Sequence, residues 1–437
     1  MSQNDMFGAV PEGAAPAKNS PREIPIGPPR LLRPDRHQIR FTPIDLESLL
    51  PPDHPARAIW TVVEKMNLSK FEATIAAREG HAGRPGIDPR ILVALWIYAT
   101  SEGIGSAREV ERLEEMHHAY QWICGGVHVN HHSLSDFRVD HKEALDDLFT
   151  QILGVLMHCG LVDLKRVAQD GMKVRASAGA ASFRREKSLR RCLVEAREQV
   201  EEAAREALAG EDVSARREAA RERAAKERLE RVERALVELP KVQEAKKAED
   251  KDKARVSTTD PEARVMKMGD GGFRPAYNTQ FATDTQTRVI VGVDVTNAGN
   301  DQGQMPPMLE SVKKRHGQLP GEYLVDGGFV NKEDIEHAAQ ENVTVYAPVP
   351  KPRKEGIDPH QPKPGDSPDV ANWRQRMGTT EAKEIYKKRA ATAETTNADL
   401  RCKRALDQLL VRGLPKVRCV VLWAALTYNI LKLIAVA

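Results

Sequence analysis

The sequence predicts a mixed α/β protein with an all-helical first region, and three observations support this prediction. Segments with helical apolar spacing fill residues 41–160. Short valine-rich runs, typical of strands, occupy residues 161–183 and return at residue 277. Between them, a stretch rich in Ala, Glu and Arg predicts two more helices. At 437 residues, the chain is long enough for about two to four domains.

The composition is that of a globular protein, with 41% hydrophobic and 30% charged residues. It excludes wholesale disorder and a disulfide scaffold. The formal net charge is only +3, so contact with a polyanion would need a local basic patch. Five scattered cysteines without a CxxC pair favour a reducing cytoplasm. The apolar stretch from Val417 to Ala437 is interrupted by charged and polar residues, so we expect a buried helix and no membrane contact.

Changes in composition divide the chain into four regions. Residues 1–40 contain seven prolines and little apolar periodicity, which predicts a flexible arm. Residues 41–160 predict an N-terminal helical domain. Residues 161–396 predict an α/β domain with a helical insert at 184–254, whose charges of alternating sign are typical of a solvated face. Residues 397–437 predict C-terminal helices that pack on this core.

Capping residues mark the helix starts of the N-terminal region. Asp88 precedes Pro89, a pairing typical of a helix start. Ser106 and Glu109 fit a capping box. Ser135 is the candidate cap of the last helix in this region. These signals predict at least three helices before residue 161.

A helix–turn–helix within residues 106–148 is one interpretation of this region. It would place Ser135, Arg138 and Lys142 against the major groove of DNA. No periodic basic face accompanies it, so a packed helical domain without DNA contact is the alternative.

The first half of the α/β region predicts strands followed by a helix. Residues 161–183 predict a strand, a turn and a second strand, and residues 277–296 predict a hairpin. A helix follows, and Asp301 with Gln304 fits a capping box at its start. Asn278 and Gln280 lie on the first hairpin strand, where they could contact DNA or pack at a sheet edge.

The second half continues the alternation of strands and helices. A strand ends at Asp326, a helix begins at Asn331, and another strand follows it. Residues 350–375 hold several prolines and glycines and predict a loop. From Glu381 onward the pattern predicts helix to residue 437.

Three acidic residues are candidates for catalysis. Asp170 and Asp326 follow predicted strands, each before a glycine, and Glu394 lies on a predicted helix. Converging carboxylates raise one another's pKa values unless cations offset the charge. Mg²⁺ prefers carboxylates together with phosphate oxygens, and two such ions can hold both oxygens of a phosphoryl displacement. The glycines would let a phosphate backbone approach closely.

Each acid alone also has an ordinary explanation. An Asp-Gly pair between apolar runs is a common hairpin turn, and Glu394 is one of many surface acids on its helix. Spacing alone therefore leaves both alternatives open.

Longer segments resemble the DDE transposases of bacterial insertion sequences. That family's last block has Tyr, two residues and Arg, followed later by Glu, six further residues and a basic residue. Here these positions are Tyr386, Arg389, Glu394 and Arg401. The resemblance also includes the helical N-terminal region and covers roughly residues 40–437. Its other segments in the α/β region are VAQDGMKVRASA, YNTQFATDTQTRVIVGVDVTNAGNDQGQM and YLVDGGF.

The resemblance implies an RNase H-like catalytic core with a helical insertion. Asp170, Asp326 and Glu394 would be the catalytic residues and would hold two Mg²⁺ or Mn²⁺ ions. Double-stranded DNA, both element ends and target, would be the partner of a homo-oligomer in the bacterial cytoplasm. The N-terminal helices would bind DNA, and four other residues would also contact it: Tyr386, Arg389, Arg401 and Lys173.

The chemistry implied is cleavage at the inverted-repeat ends of an insertion sequence, followed by strand transfer. Residues 381–418 hold ten Lys or Arg and five Asp or Glu, so their local charge of 10 − 5 = +5 favours phosphate contact. Two alternatives remain. One is an RNase H-like nuclease that cuts without joining, and the other is a transposase-derived DNA-binding protein without catalysis.

Overall fold

The computed structural model describes residues 45–78, 85–209, 215–352 and 356–436, together with Pro43 and Gly80. The predicted arm of residues 1–40 lies outside this part of the chain. Residues 45–437 form one compact unit. The N-terminal helices, the sheet and the last helix therefore share one folded body, and their buried apolar side chains belong to one core.

Seven helices come before the sheet, and their starts follow from local capping. Asp88 accepts a hydrogen bond from the Arg90 amide at 2.8 Å, and Ser106 accepts one from the Glu109 amide. Both helix starts were predicted. The helices are α1 (Pro55–Glu64), α2 (Ser69–Glu72), α3 (Pro89–Ser101), α4 (Ala107–Met116), α5 (His118–Cys124), α6 (His131–Asp140) and α7 (Lys142–His158).

Two expectations for the end of this region are wrong. Ser135 is not a helix cap, because α6 begins four residues earlier and Asn130 caps it by accepting from the Ser133 amide. Arg138 cannot reach DNA, because it is buried, with its guanidinium 4.3 Å from the centroid of the Trp96 ring. A buried cation stacked on an aromatic ring is part of the core.

The insert is a helical hairpin with a small core of its own. Strand β1 (Arg166–Arg175) precedes it, and β2 (Phe183–Arg184), α8 (Glu186–Ala209), α9 (Ala215–Glu244) and β3 (Val256–Ser257) follow in order. The two helices pack on each other, and β2 pairs with β3 at their base. Its apolar cluster is separate from the main core and consists of Leu189, Ala235, Leu239, Ala254 and Val256.

Six strands form a mixed sheet with β1 inside it. Strand β5 pairs with β1 in antiparallel orientation, whereas β7 pairs with β1 in parallel on the other side. Strands β4 and β6 pair with the far edge of β5, and β8 extends the sheet in parallel beyond β7. These strands and their neighbouring helices are β4 (Arg264–Lys267), β5 (Phe273–Asp284), β6 (Ile290–Thr296), α10 (Met305–His316), β7 (Glu322–Leu324), α11 (Lys332–Gln340) and β8 (Thr344–Tyr346).

Strand β1 corrects the expectation of a turn at Asp170. The strand continues through Asp170 and Gly171, which face Phe281 and Gln280 of β5. Because β1 has hydrogen-bonded neighbours on both sides, the sheet overrides the local turn preference of an Asp-Gly pair. The hairpin predicted at residues 277–296 is present as β5 and β6.

The helices after the sheet differ from the prediction at two points. Helix α12 (Pro368–Gly378) begins inside the predicted loop, where Ser367 caps it. Helix α13 (Thr380–Lys403) is separated from α14 (Leu414–Ile434) by a non-helical segment that touches β1 through an Arg175–Gln408 bridge. The predicted boundary between residues 396 and 397 therefore falls inside α13.

Helix α14 connects the N-terminal helices to the sheet. It packs on α1, α3, α6, α7 and β6. Trp423 donates to the Arg138 carbonyl at 3.1 Å, and the Asn429 side chain bonds both backbone groups of Ile290. Among the described helices, α14 alone is long and apolar enough to span a membrane, and 72% of its most apolar window is buried in the protein. That burial is typical of a core helix.

We predict that the helical hairpin can be removed without unfolding the core, because it has its own apolar cluster. A short flexible linker from Arg185 to Arg255 should leave one cooperative thermal transition, with a Tm within about 5 °C of the full chain. Sedimentation of the same variant should report any loss of self-assembly. Disappearance of the cooperative transition would show that the hairpin belongs to the core. Arg264→Ala controls for the lost ion pair to Glu238.

Candidate active site

The register of two parallel strands brings Asp170 and Asp326 together. Ala168 of β1 lies opposite Leu324 of β7, and each aspartate stands two residues further along its chain. Residues two apart point to the same face, and neighbouring strands are about 4.8 Å apart. The two carboxyl groups therefore project side by side from the same face of the sheet. Asp326 also accepts a hydrogen bond from the Gly328 amide at 2.7 Å, which fixes its side chain at the strand end.

The Asp170 carboxyl group lies in a partly desolvated position. Its side chain is 18% exposed, and burial raises its pKa to about 6. The charges of Asp326 and Asp301 raise the pKa further, whereas Arg389 opposes them. Two hydrogen bonds hold the group, one from the Gly171 amide and one from Asn397 Nδ2, each at 3.0 Å. Asp170 is thus the most strongly perturbed carboxyl group of the site.

Helix α13 lies across β1 and contributes the remaining charges of the site. Arg389 lies between two acids, with Nη1 3.7 Å from Asp170 Oδ1 and Nη2 3.8 Å from Glu394 Oε1. The Arg389 Nη1 atom is buried and has no hydrogen-bond partner among the described residues. Tyr386 is half-buried beneath this guanidinium, and burial raises the pKa of its phenol. The Glu394 side chain is 68% exposed.

Asp170 and Asp326 form a pair of carboxylates. Arg389 connects Asp170 to a third acid, Glu394. Among the residues that the structure describes, no three His, Cys, Asp or Glu side chains are close enough to form a metal site. The donors are nevertheless carboxylate oxygens, the ligands that Mg²⁺ and Mn²⁺ prefer. Burial is the main reason that the pKa of Asp170 is raised, and the nearby Asp326 charge raises it further, so a cation bound here would favour the ionised form of Asp170. These residues therefore fit a divalent cation.

Behind β1, on the opposite sheet face, a fourth acid is fixed by three donors. Asp301 Oδ1 accepts from Asn278 Nδ2 and Gln280 Nε2, each at 2.7 Å, and Lys173 Nζ lies 3.1 Å from Oδ2. The capping box predicted for Asp301 is wrong, because its side chain turns to the sheet and α10 has no side-chain cap. Asn278 and Gln280 are fully buried, so neither lies on a surface.

Gly171 is required by this fourth acid. A Cβ atom at Gly171 would lie 2.1 Å from Asp301 Oδ1 and 2.5 Å from Gln280 Nε2. Such distances are far shorter than any allowed contact between these atoms. The glycine after Asp170 therefore makes room for Asp301, whereas the sequence suggested a turn or a passage for DNA.

The end of α13 is attached to β1 at the same place. Arg401 Nη2 donates to the Lys173 carbonyl at 3.2 Å, and the Arg401 side chain remains exposed. Of the basic residues proposed from sequence to contact DNA, Lys173 is paired with Asp301 and Arg389 faces the carboxylates. Of the four proposed DNA-contact residues, Arg389 and the ring beneath it, Tyr386, lie on the Asp170 side of β1, whereas the Lys173 side chain is paired on the opposite face.

Two family models match the chain. A transposase domain (DUF772) matches residues 44–140, and a transposase DDE domain matches residues 241–430. The chain belongs to the DDE transposases of insertion sequences. This confirms the family to which the sequence was compared. No curated protein and no solved structure matches the chain.

Membership in this family supports a nucleic-acid-cleaving enzyme that acts on DNA, and DDE transposases generally use divalent metal ions. The matched range contains Asp326 and Glu394 but begins after Asp170. In this transposase, the assignment of Asp170 therefore depends on its register with Asp326 and on its contacts with α13.

Sequence reasoning missed two residues of the transposase site. Asn397 lies three residues after Glu394, and this spacing places both on one side of a helix. The spacing could therefore have indicated that Asn397 belongs to the site. For Asp301, the sequence signal was the presence of Asn278 and Gln280 two residues apart on one predicted strand. Two amides on one face of a buried strand need a polar partner.

We predict that Asp170→Asn stabilises the metal-free transposase above pH 6. A rise in pKa from 3.8 to about 6 means that ionised Asp170 is disfavoured in the folded state. The carboxyl group has no such cost below pH 3.8. As pH rises from 3.8 to just above 6, the wild type progressively loses up to about 3 kcal/mol of stability that the neutral amide does not lose.

Urea unfolding in a chelating buffer from pH 4.5 to 8 measures this difference. The advantage of Asp170→Asn should grow with pH and level off above pH 7. Asp136→Asn on the exposed face of α6 is the control for losing one carboxylate. An advantage that does not change over this range would contradict the assigned pKa.

We also predict that Gly171→Ala destabilises the transposase by about 1–3 kcal/mol, because the new methyl group overpacks the space held by Asp301. Gly154→Ala is the control, since a Cβ at this site in α7 meets no atom within 4 Å. That change should stabilise the protein by about 0.5–1 kcal/mol. Equal effects of the two substitutions, measured by urea unfolding, would refute the close contact at Gly171.

Proposed function

We propose that the protein is a DNA transposase that binds the inverted-repeat ends of its own insertion sequence, cleaves them and transfers the cut strand to target DNA. The observation that carries the proposal is the register of β1 with β7. It sets Asp170 beside Asp326, beneath the helix that bears Glu394. Two carboxylates on adjacent strands, with a third on a crossing helix, suit the handling of a phosphodiester.

We infer an RNase H-like core from the same arrangement. The first aspartate lies on an inner strand, the second follows a parallel neighbour, and the glutamate lies on a helix packed beside both. This is the placement that the resemblance to DDE transposases implies. The α8–α9 hairpin accounts for much of the sequence between the two aspartates.

Asp170, Asp326 and Glu394 would hold Mg²⁺ or Mn²⁺, as two ions. When bound, these ions would activate the attacking oxygen and stabilise the leaving oxygen of a phosphodiester. The protein's own groups would position the DNA. Arg389 Nη1 is a buried donor that no group in the described part of the chain pairs with, so a phosphate oxygen beside Asp170 would satisfy it. Asn397 holds the orientation of Asp170 through its hydrogen bond.

Further DNA contact would come from residues at the same end of the site. Arg401 is exposed and contacts β1, and Tyr386 lies beneath Arg389. Lys173 would have to leave its ion pair with Asp301, on the other face of the sheet, to contact DNA. We propose double-stranded DNA as the partner, a homo-oligomer as the acting form, and the bacterial cytoplasm as the location. The helices of residues 45–158 are the candidate for recognition of the ends.

A nuclease that cuts without joining would use the same carboxylates and is the second candidate. A DNA-binding protein without catalysis is the third. The desolvated Asp170 beside Asp326 disfavours the third candidate, because a buried carboxyl group with a raised pKa costs stability and such groups are typical of functional sites. Joining of DNA ends separates the first two candidates.

An assay with labelled DNA that carries the element ends tests the proposal. We predict joined products with Mg²⁺ and none with a chelator. Glu394→Gln should lower the cleavage rate at least about a hundredfold while leaving end binding nearly unchanged. Glu384→Gln, an exposed acid on the same helix, is the matched control. Cut products without joining would favour a nuclease. A gel shift without cleavage would sink the catalytic assignment.

A further inference from the structure

A cavity of about 570 Å³ lies away from the carboxylates, between the start of β1, the β5–β6 turn, α13 and the end of α14. Five cationic and two acidic side chains line it, a local charge of 5 − 2 = +3. The cations are Lys165, Arg166, Arg288, Lys388 and Lys432. Arg166 pairs with Glu322. Within the described part of the chain, the other four form no ion pair.

Both acids that line the cavity accept hydrogen bonds from backbone amides. Asp284 is buried, and its Oδ1 accepts from the amides of Gln286 and Thr287, each at 2.9 Å. Asp163 Oδ1 accepts from the Lys165 amide at 2.8 Å. Both acids therefore hold turns in place, and neither forms a salt bridge with the cavity's lysines.

Unlike many basic residues of the described chain, these four cations have no acidic partner, and they line one cavity together. On α13 itself, Lys387 pairs with Glu384, and the α8–α9 hairpin carries several pairs of opposite charge four residues apart. Such pairs are typical of a solvated helical face. In the cavity, four unpaired cations share a concave space, where their mutual repulsion is unfavourable without an anion.

The backbone at Arg288 adds an independent observation. Arg288 lies in the β5–β6 turn with a φ of 62°, in the left-handed region where glycine and asparagine are favoured. A long cationic side chain costs conformational energy there, and strain of this kind is concentrated at functional positions. The turn would tolerate asparagine at lower cost, so the arginine is best explained by its charge.

We propose that this cavity binds a phosphate group of the DNA backbone at a distance from the cleaved bond. The inference rests on the proposed function, because it assumes DNA as the partner. An anion would relieve the repulsion of four cations, and DNA presents regularly spaced anions. Arg166 and Asp170 lie four residues apart on the same face of β1, about 13 Å. If the duplex axis runs along β1, the rise of about 3.4 Å per nucleotide places the bound phosphate about four nucleotides from the cleaved one.

Helix α13 also runs from the cavity toward the third carboxylate. Lys388 and Thr392 line the cavity, and Lys388 precedes Glu394 by six residues, or about 9 Å along the helix axis. One helix thus links the cavity to the third carboxylate. A phosphate held at the cavity would fix where the strand crosses Asp170, so the contact would set the register of the DNA without reading its sequence.

Three substitutions and one matched control test the cavity. Lys388→Gln, Lys432→Gln and Arg288→Asn each remove one charge, and asparagine suits the left-handed turn. Lys383→Gln removes the same charge from an exposed position of α13 outside the cavity. Duplex affinity is measured at several salt concentrations, with thermal unfolding to verify folding. Each cavity variant should bind about three- to tenfold more weakly, with the salt slope reduced by about one.

The loss should be the same for end DNA and for unrelated duplex, because the contact is to phosphate. Neutral methylphosphonates, scanned along the end DNA, locate the contact. One position about four nucleotides from the cut should weaken wild-type binding and cause no further loss in Lys388→Gln. If the cavity variants match Lys383→Gln while the wild type binds DNA, the cavity inference is wrong and the transposase proposal stands. If the folded wild type binds no duplex, both are wrong.

Discussion

The carboxyl group of Asp170, placed in the middle of an inner strand, is the constraint on which the rest of the site depends. A charge in that position is costly because the surrounding sheet removes water. The pKa of about 6 expresses this cost. The elements near Asp170 supply groups that interact with its carboxyl group. Helix α13 brings Arg389 and Asn397, β7 leads to Asp326, and the Gly171 amide donates its hydrogen.

The two faces of β1 contact different parts of the protein. Asp170 points to the face covered by α13, where the chemistry would occur. Gly171 and Lys173 belong to the other face, where Asp301 is held by buried amides. Because the Asp301 carboxylate fills the space beside Gly171, the strand cannot shift without breaking both sets of contacts. The network behind the strand thus holds Asp170 in register with Asp326.

Sequence alone could predict most of the elements, since the strands are valine-rich, and the resemblance supplied the proposed roles of Asp170, Asp326 and Glu394. It could not predict where side chains go when local signals compete with distant partners. Asp301 fits a local capping box, yet Lys173, its ion-pair partner, is 128 residues away. Arg138 looks like a surface cation, yet it is buried against Trp96. In both cases, tertiary contacts outweigh a pattern of a few residues.

The position of α14 has a consequence for how the protein is made. The helices that pack on it, α1, α3, α6 and α7, all end by His158, and α14 begins at Leu414. At a synthesis rate of about 5–20 residues per second, those helices would wait roughly ten to fifty seconds for their partner. Their apolar faces stay open to chaperones or to aggregation during that time. The segment that carries Glu394 also leaves the ribosome after all strands of the described sheet, so the three proposed acids cannot come together until α13 has been made.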